Sequence, residues 1–206
     1  MIVIVIMERE IIEMNAISNI YVDMKSAKLD YKTIVSDLEK ENNKLAKLEY
    51  AWYCFTKDRK VIPGKAPEDN DNVSRVLMPE ELFAKGYGTC WDRSLYLYKY
   101  CKSKKLETHY VYTECIQREP KGSLITHTTI VVHLDDWYMV DPFYGIQAYS
   151  TFSEFVREYH NFWKNKNYVA KVIKLAEVNA DKLLALGKHH NFNDFIRVLR
   201  SGKSLI

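Results

Sequence analysis

Cys90 is the residue of this chain whose type and setting offer the most reactive side chain. It follows two glycines, Gly86 and Gly88, and the apolar residues after it recur with the spacing of a helix that begins at the cysteine. The unpaired N–H groups at a helix N-terminus favour a thiolate and can donate to an oxyanion. Glycine lets a substrate approach the backbone closely. The sequence therefore predicts a partly exposed nucleophile, and the alternative is a helical thiol without a chemical role.

Two predicted strands supply a base and a residue that orients it. His127 lies in 124–134 (LITHTTIVVHL), the strongest strand signal of the chain, and Asp141 ends 137–141 (WYMVD) just before Pro142. Adjacent antiparallel strands can hold the two side chains together, and we expect the imidazole Nδ1–H to donate to the carboxylate. With the cysteine, these residues predict a Cys-His-Asp triad.

The triad requires one particular register of the hairpin that these strands form. A two-residue turn would pair Asp141 with Ile130, on the sheet face opposite to that of His127. One residue more or less in the turn, or a bulge, would pair Asp141 with Thr129, which shares a face with His127. We therefore predict an odd-length loop or a bulge between residues 132 and 139.

Other histidines and cysteines compete for these roles. His133 shares a strand face with His127 but lies nearer to the hairpin end, so we expect His127 to be the base. His189 and His190 fall in a polar stretch between helices and are predicted at the surface. None of the four cysteines forms a C-x-x-C pair, so no metal site is expected. The remaining thiols are predicted to be core or rim residues: Cys54, Cys101 and Cys115.

Three segments together resemble the transglutaminase-like superfamily of cysteine enzymes. They are 86–91 (GYGTCW) with the helix after it, the histidine-bearing strand 126–134 (THTTIVVHL), and 137–145 (WYMVDPFYG). The first is similar to the Y-G-Q-C-W of transglutaminases, and the resemblance covers roughly 45–148. It implies a papain-like core in which the nucleophile, the base and acid, and the orienting carboxylate are Cys90, His127 and Asp141.

The resemblance also implies a reaction. The thiolate would attack a peptide or amide carbonyl of a peptide or protein substrate and form a thioester, without a cofactor. We expect hydrolysis, because water is always present. The alternatives are transglutaminase-type crosslinking or deamidation, transfer like that of arylamine N-acetyltransferases (whose D-V-G-F-G is similar to DPFYG here), and a non-catalytic scaffold. Besides the cysteine N–H, the residues expected to contact the substrate or the oxyanion are Trp52, Gly88 and Trp91.

The order of the elements around these residues predicts an α+β fold with helices packed on a small antiparallel sheet. We expect a single domain, 1–206, with an N-terminal helical extension 1–44, a catalytic core 45–148 and a C-terminal helical segment 149–206. Apolar periodicity predicts further helices. They cover 31–55, 79–85, 152–163, 172–186 and 192–199.

Composition excludes several classes of protein. Of the 206 residues 47% are hydrophobic and 28% charged, which is typical of a globular protein. The 30 basic and 27 acidic residues give a net charge of +3, too small to predict a nucleic-acid surface. The apolar start, 1–7 (MIVIVIM), is too short for a membrane span and lacks the basic region of a signal peptide. A cytoplasmic protein that does not bind membranes is expected, and the sequence leaves the oligomeric state open.

Overall fold

Helices and strands alternate irregularly along the part of the chain that the computed structural model describes, which is residues 76, 78, 79, 81, 82, 89–119, 121–187 and 190–206. The helices are α1 (Cys90–Ser103), α2 (Phe152–Lys164), α3 (Ala180–Ala185) and α4 (Phe192–Arg200). The strands are β1 (Glu107–Gln117), β2 (Leu124–His133), β3 (Trp137–Asp141), β4 (Gly145–Tyr149), β5 (Val169–Val178) and β6 (Lys203–Ser204).

The six strands form one sheet in the order β4-β3-β2-β1-β5-β6, with every pair antiparallel. The predicted α+β class with an antiparallel sheet is thereby confirmed, although the sheet is larger than the small one predicted. β4 is an edge strand with exposed residues at its centre, and β6 has only two residues. Neither carries the apolar signal that would identify a strand from sequence.

The central strand β1 separates two layers of apolar side chains. Tyr110 and Tyr112 belong to the core on the side of α1, whereas Val111 and Cys115 belong to the core on the side of α2. Successive strand residues point to opposite faces, so a strand buried on both sides is apolar almost throughout. The sheet therefore carries helices on both faces.

The β2–β3 hairpin has the register on which the predicted triad depends. His133 pairs with Trp137, Ile130 pairs with Val140, and a three-residue connection, 134–136, joins the strands. Continuing the register sets Asp141 opposite Thr129, on the same face as residue 127. The predicted odd-length loop is confirmed.

One long helix predicted near the C-terminus is wrong. Residues 169–178 form β5, which pairs with β1, and only Ala180–Ala185 is helical, so the segment 149–206 contains strands as well as helices. The β5–β1 pairing shifts register twice, which breaks the strict alternation that would have indicated a strand. The helix begins where Asn179 accepts a hydrogen bond from the Lys182 backbone N–H, at 3.2 Å.

Several predictions fall on the remainder of the chain. The helical extension 1–44, the helix 31–55 and most of the helix 79–85 lie outside the described residues, as does Cys54. Of the predicted helix 79–85, residues 79, 81 and 82 are described, and all three are helical. No helix in the described part of the chain is long and apolar enough to cross a membrane.

Candidate active site

His127 and Asp141 form a buried hydrogen-bonded pair. His127 Nε2 lies 2.7 Å from Asp141 Oδ2, and the two side chains are 7% and 0% exposed. The register of β2 and β3 brings them to one face of the sheet. The structure therefore brings these two sequence-predicted residues together, but through Nε2, so the expectation that Nδ1 would face the carboxylate is wrong. Nδ1 is left as the nitrogen available to the thiol.

The carboxylate of Asp141 is fixed by further donors. Its Oδ1 accepts the backbone N–H groups of Phe143 and Tyr144, at 2.9 and 3.1 Å. The hydroxyl of Tyr159, on α2, lies 3.4 Å from Oδ2. Burial and the neighbouring charge of Asp141 raise the pKa of Tyr159 well above its usual value, so its hydroxyl stays neutral. A carboxylate held in this way can fix the orientation of an imidazole.

Cys90 is the first residue of α1, as predicted from the sequence. The helix is capped by Thr89, whose backbone N–H and hydroxyl donate to the Asp92 carboxylate, at 2.5 and 2.8 Å. The Ser94 hydroxyl donates to the Thr128 carbonyl at 2.9 Å and fastens this end of α1 to β2, next to His127. Cys90 is only 9% exposed, which is less than expected for a substrate-facing thiol.

The thiol and the carboxylate act together on the imidazole. Burial is the largest influence on His127 and lowers its pKa, but the charges of Asp141 and Cys90 and hydrogen bonds to both side chains outweigh it. The net effect raises the pKa of His127 from 6.5 to about 10. The imidazole is therefore protonated at neutral pH, with one N–H donated to the carboxylate and the other available to the sulfur.

Aromatic rings enclose the imidazole. The ring centres of Phe143, Tyr144 and Trp163 lie 5.8, 5.6 and 5.3 Å from that of His127. Trp163 is buried, whereas Phe143 and Tyr144 are 44% and 42% exposed. The ion pair therefore lies beneath aromatic side chains that separate it from bulk water and strengthen its electrostatics.

The competing histidines have other surroundings. His133 stacks on Trp137 and lies 3.2 Å from Glu107 Oε2, at the far end of the hairpin from Asp141. His190, predicted at the surface, is 7% exposed, and its Nδ1 lies 2.6 Å from the Gly187 carbonyl oxygen. That prediction is wrong because the chain packs His190 against Phe195 of α4. The predicted core thiols Cys101 and Cys115 are fully buried, as expected.

The predicted contacts to substrate or oxyanion have mixed outcomes. The indole of Trp91 packs on Phe192 and Phe195 of α4, at 5.2 and 6.1 Å between ring centres. It is not among the rings that contact His127 within the described residues. Trp52 and Gly88 lie outside those residues, so their proposed contacts stay predictions.

Sequence reasoning missed three residues beside the catalytic pair: Tyr159, Trp163 and Arg93, whose guanidinium carbon lies 5.4 Å from the ring centre of Phe143. Arg93 falls in the predicted helix that begins at Cys90, and its i+3 spacing from the cysteine is the one signal that could have identified it. Tyr159 and Trp163 lie on the correctly predicted helix 152–163, but its docking beneath His127 depends on tertiary packing.

In the described part of the chain, no group of three histidine, cysteine or acidic side chains is arranged to hold a metal ion. Comparison of the sequence with protein-family models and with curated proteins found no match.

Proposed function

We propose that the protein is a cysteine-dependent acyl-transfer enzyme that hydrolyses a peptide or amide bond through a thioester. The observation that carries the proposal is the buried 2.7 Å contact between His127 and Asp141, beside a Cys90 side chain whose charge raises the pKa of the same imidazole. A nucleophile, an acid–base group and an orienting group in contact are the requirements of covalent acyl transfer. This is also the activity that the resemblance to transglutaminase-like enzymes implies.

In the acylation step, the Cys90 thiolate attacks the substrate carbonyl carbon and forms a C–S bond, while the carbonyl electron pair moves to oxygen. The Cys90 backbone N–H, at the start of α1, is oriented to stabilise the resulting oxyanion. The tetrahedral intermediate then expels the amine, which takes the proton of the His127 imidazolium as the C–N bond breaks.

In the second step, neutral His127 removes a proton from water as the water oxygen attacks the thioester carbon. Collapse of the second tetrahedral intermediate breaks the C–S bond, releases the carboxylic acid and restores the thiolate and the imidazolium. An amine in place of water would give transfer instead of hydrolysis, by the same proton movements.

The environment of the ion pair favours this chemistry. The low exposure of Cys90, His127 and Asp141 strengthens the attraction between charged groups, because few water molecules screen it. The hydrogen bonds to Asp141 fix the imidazole before substrate arrives, so little reorganisation accompanies proton transfer.

The proposal is tested by trapping the acyl-enzyme. The full-length protein is incubated with a library of peptides and glutamine amides, quenched in acid and analysed by mass spectrometry, with and without an added amine. We expect an adduct on Cys90 alone, absent from Cys90→Ala and retained in Cys101→Ala, which removes a buried core thiol. Product acid without amine incorporation indicates hydrolysis, and incorporated amine indicates transfer.

A second measurement tests the activated thiol without a substrate. Burial raises the pKa of Cys101 and of Cys115, the latter to about 11, so neither should react at mildly acidic pH. Iodoacetamide at that pH should label Cys90 selectively. If Cys90 labels no faster than Cys101 and Cys115, the protein is a scaffold without an activated nucleophile.

A further inference from the structure

Arg93 is a buried cation beside the nucleophile. It follows Cys90 by one turn of α1, so the two side chains lie on the same side of the helix, and their charges interact. Arg93 is only 2% exposed. In the part of the chain that the structure describes, neither its Nε nor its Nη2 has a hydrogen-bond partner.

Burying a guanidinium whose N–H groups lack acceptors lowers the stability of the folded protein. Burial lowers the pKa of Arg93, and the charges of Asp92 and Cys90 offset this only in part. Asp92 also accepts two hydrogen bonds from Thr89 as the cap of α1. A buried cation with unused donors destabilises the fold unless an anion completes it. The rigid N–H fork of arginine matches a carboxylate, which accepts two parallel hydrogen bonds.

The surroundings connect this cation to the reacting groups. The guanidinium carbon lies 5.4 Å from the ring centre of Phe143, and the same ring contacts His127 at 5.8 Å. Phe143 is 44% exposed, so the ring that contacts Arg93 also reaches solvent. A second cation, Lys166, lies over the rings of Phe162 and Tyr144, at 3.9 and 4.8 Å, and Tyr144 is one of the rings around His127.

We propose that Arg93 binds a carboxylate group of the substrate, close to the carbonyl that Cys90 attacks, so that the enzyme selects anionic acyl groups over neutral ones. This inference rests on the proposed function. It goes beyond it by naming the chemical class of the acyl group and the residue that selects it. Asp141, the acidic neighbour of His127, accepts hydrogen bonds from the imidazole and from two backbone amides.

Two alkylating reagents test the inference on the full chain. Iodoacetate and iodoacetamide react with a thiolate in the same way: the C–S bond forms as the C–I bond breaks and iodide leaves. They differ in carrying a carboxylate or a neutral amide. The ratio of their rate constants at Cys90 cancels the thiolate fraction, because both reagents consume the same thiolate. The ratio for the protein denatured in urea, at the same pH, gives the intrinsic reactivity of the reagents towards the thiolate.

We expect the folded protein to favour iodoacetate by at least about tenfold over the intrinsic ratio, the factor that a charge-assisted hydrogen bond supplies. Arg93→Met should abolish this preference, and Arg93→Lys, which keeps the charge but loses the fork, should reduce it. Arg197→Met is the matched control, because the Arg197 side chain is 79% exposed and pairs with Asp194 on the surface of α4. It should leave the ratio unchanged.

The outcomes separate the inference from the function on which it rests. Selective, rapid labelling of Cys90 with the same reagent ratio in wild type and Arg93→Met overturns the carboxylate site and leaves the nucleophile intact. Slow labelling by both reagents overturns the proposed function and the inference with it. If Arg93→Met does not fold, an unchanged ratio in Arg93→Lys overturns recognition by the fork.

Discussion

Asp141 combines two tasks that a less constrained carboxylate could not perform together. One oxygen accepts the imidazole N–H, while the other accepts two backbone amides of the turn that carries Phe143 and Tyr144. The same carboxylate therefore orients His127 and shapes the aromatic wall around it. Disturbing its charge should affect chemistry far more than packing, because an asparagine side chain has nearly the same shape.

We expect Asp141→Asn to lower kcat by about 10⁴, the size of the effect that the wrong histidine tautomer has in a serine triad. The variant should still fold, since the amide oxygen can still accept from the turn amides, but it loses the stability that the ion pair contributes at neutral pH. The measurement is kcat on whichever substrate the acyl-enzyme trap identifies, with circular dichroism as the control for folding. A decrease of less than about tenfold would reduce Asp141 to a turn residue.

The protonation of His127 gives a second prediction at this scale. Its pKa in the folded protein is raised to about 10, above the 6.5 of an ordinary histidine. The stability that its charge contributes is therefore fully present below pH 6.5 and is lost as the pH rises through about 10. NMR titration of the imidazole should show no transition between about pH 5 and 8, the interval in which an ordinary histidine titrates.

In Asp141→Asn the same resonance should titrate much closer to the ordinary range, because its main opposite charge is gone. The difference in unfolding free energy between wild type and this variant should shrink as the pH rises from 6.5 towards 10. An imidazole that titrates at the ordinary histidine pKa in both proteins would contradict the ion pair.

At the scale of elements, the face on which Asp141 lies depends on the register that pairs His133 with Trp137 and Ile130 with Val140. Inserting one alanine between Met139 and Asp141 should turn the carboxylate to the opposite face and lower kcat at least as far as Asp141→Asn does. Inserting one glycine within the 134–136 loop is the matched control. The strand pairs hold the register there, and lengthening a short loop costs less than about 1 kcal/mol. Equal activity losses in the two insertions would show that the register does not control the site.

The same hairpin indicates what the sequence could predict. Strand parity is enough to predict that the histidine and the aspartate lie on one face of the sheet, because side chains alternate strictly along β2 and β3. The choice of Nε2 could not be predicted, because strand parity determines the face on which a side chain lies but not the orientation of its ring. The sequence predicts a helix where β5 lies, because the bulged pairing of β5 with β1 removes the period of two. Local patterns determine parity and helix starts, whereas docking across the sheet requires the folded chain.

At the scale of the whole molecule, a buried charge ties the C-terminal helix to the centre of the sheet. Glu114 on β1 has a side chain that is 6% exposed, and its two oxygens accept Arg200 Nη2 and Nε at 2.7 and 3.1 Å. The Tyr112 hydroxyl donates to the same carboxylate at 2.9 Å. These bonds hold the end of α4 against β1, on the face of the sheet where α1 also packs.

Glu114→Gln should lower the free energy of unfolding by about 1–2 kcal/mol at pH 7, because Arg200 then faces a neutral amide. Burial alone would raise the pKa of Glu114, but the hydrogen bonds from Arg200 and Tyr112 and the charges of Arg200 and Lys174 lower it below 4.5. A carboxyl with a lowered pKa contributes stability above its unfolded pKa and loses it as the pH falls through the folded value. The difference in unfolding free energy between wild type and Glu114→Gln, measured in urea, should therefore be at its full size at neutral pH and shrink below pH 4.5.

Arg157→Met, which removes an exposed pair with Glu158, should change stability by less than about 0.5 kcal/mol at either pH. A Glu114→Gln penalty that does not change with pH would mean that shape, and not charge, holds α4 to the sheet.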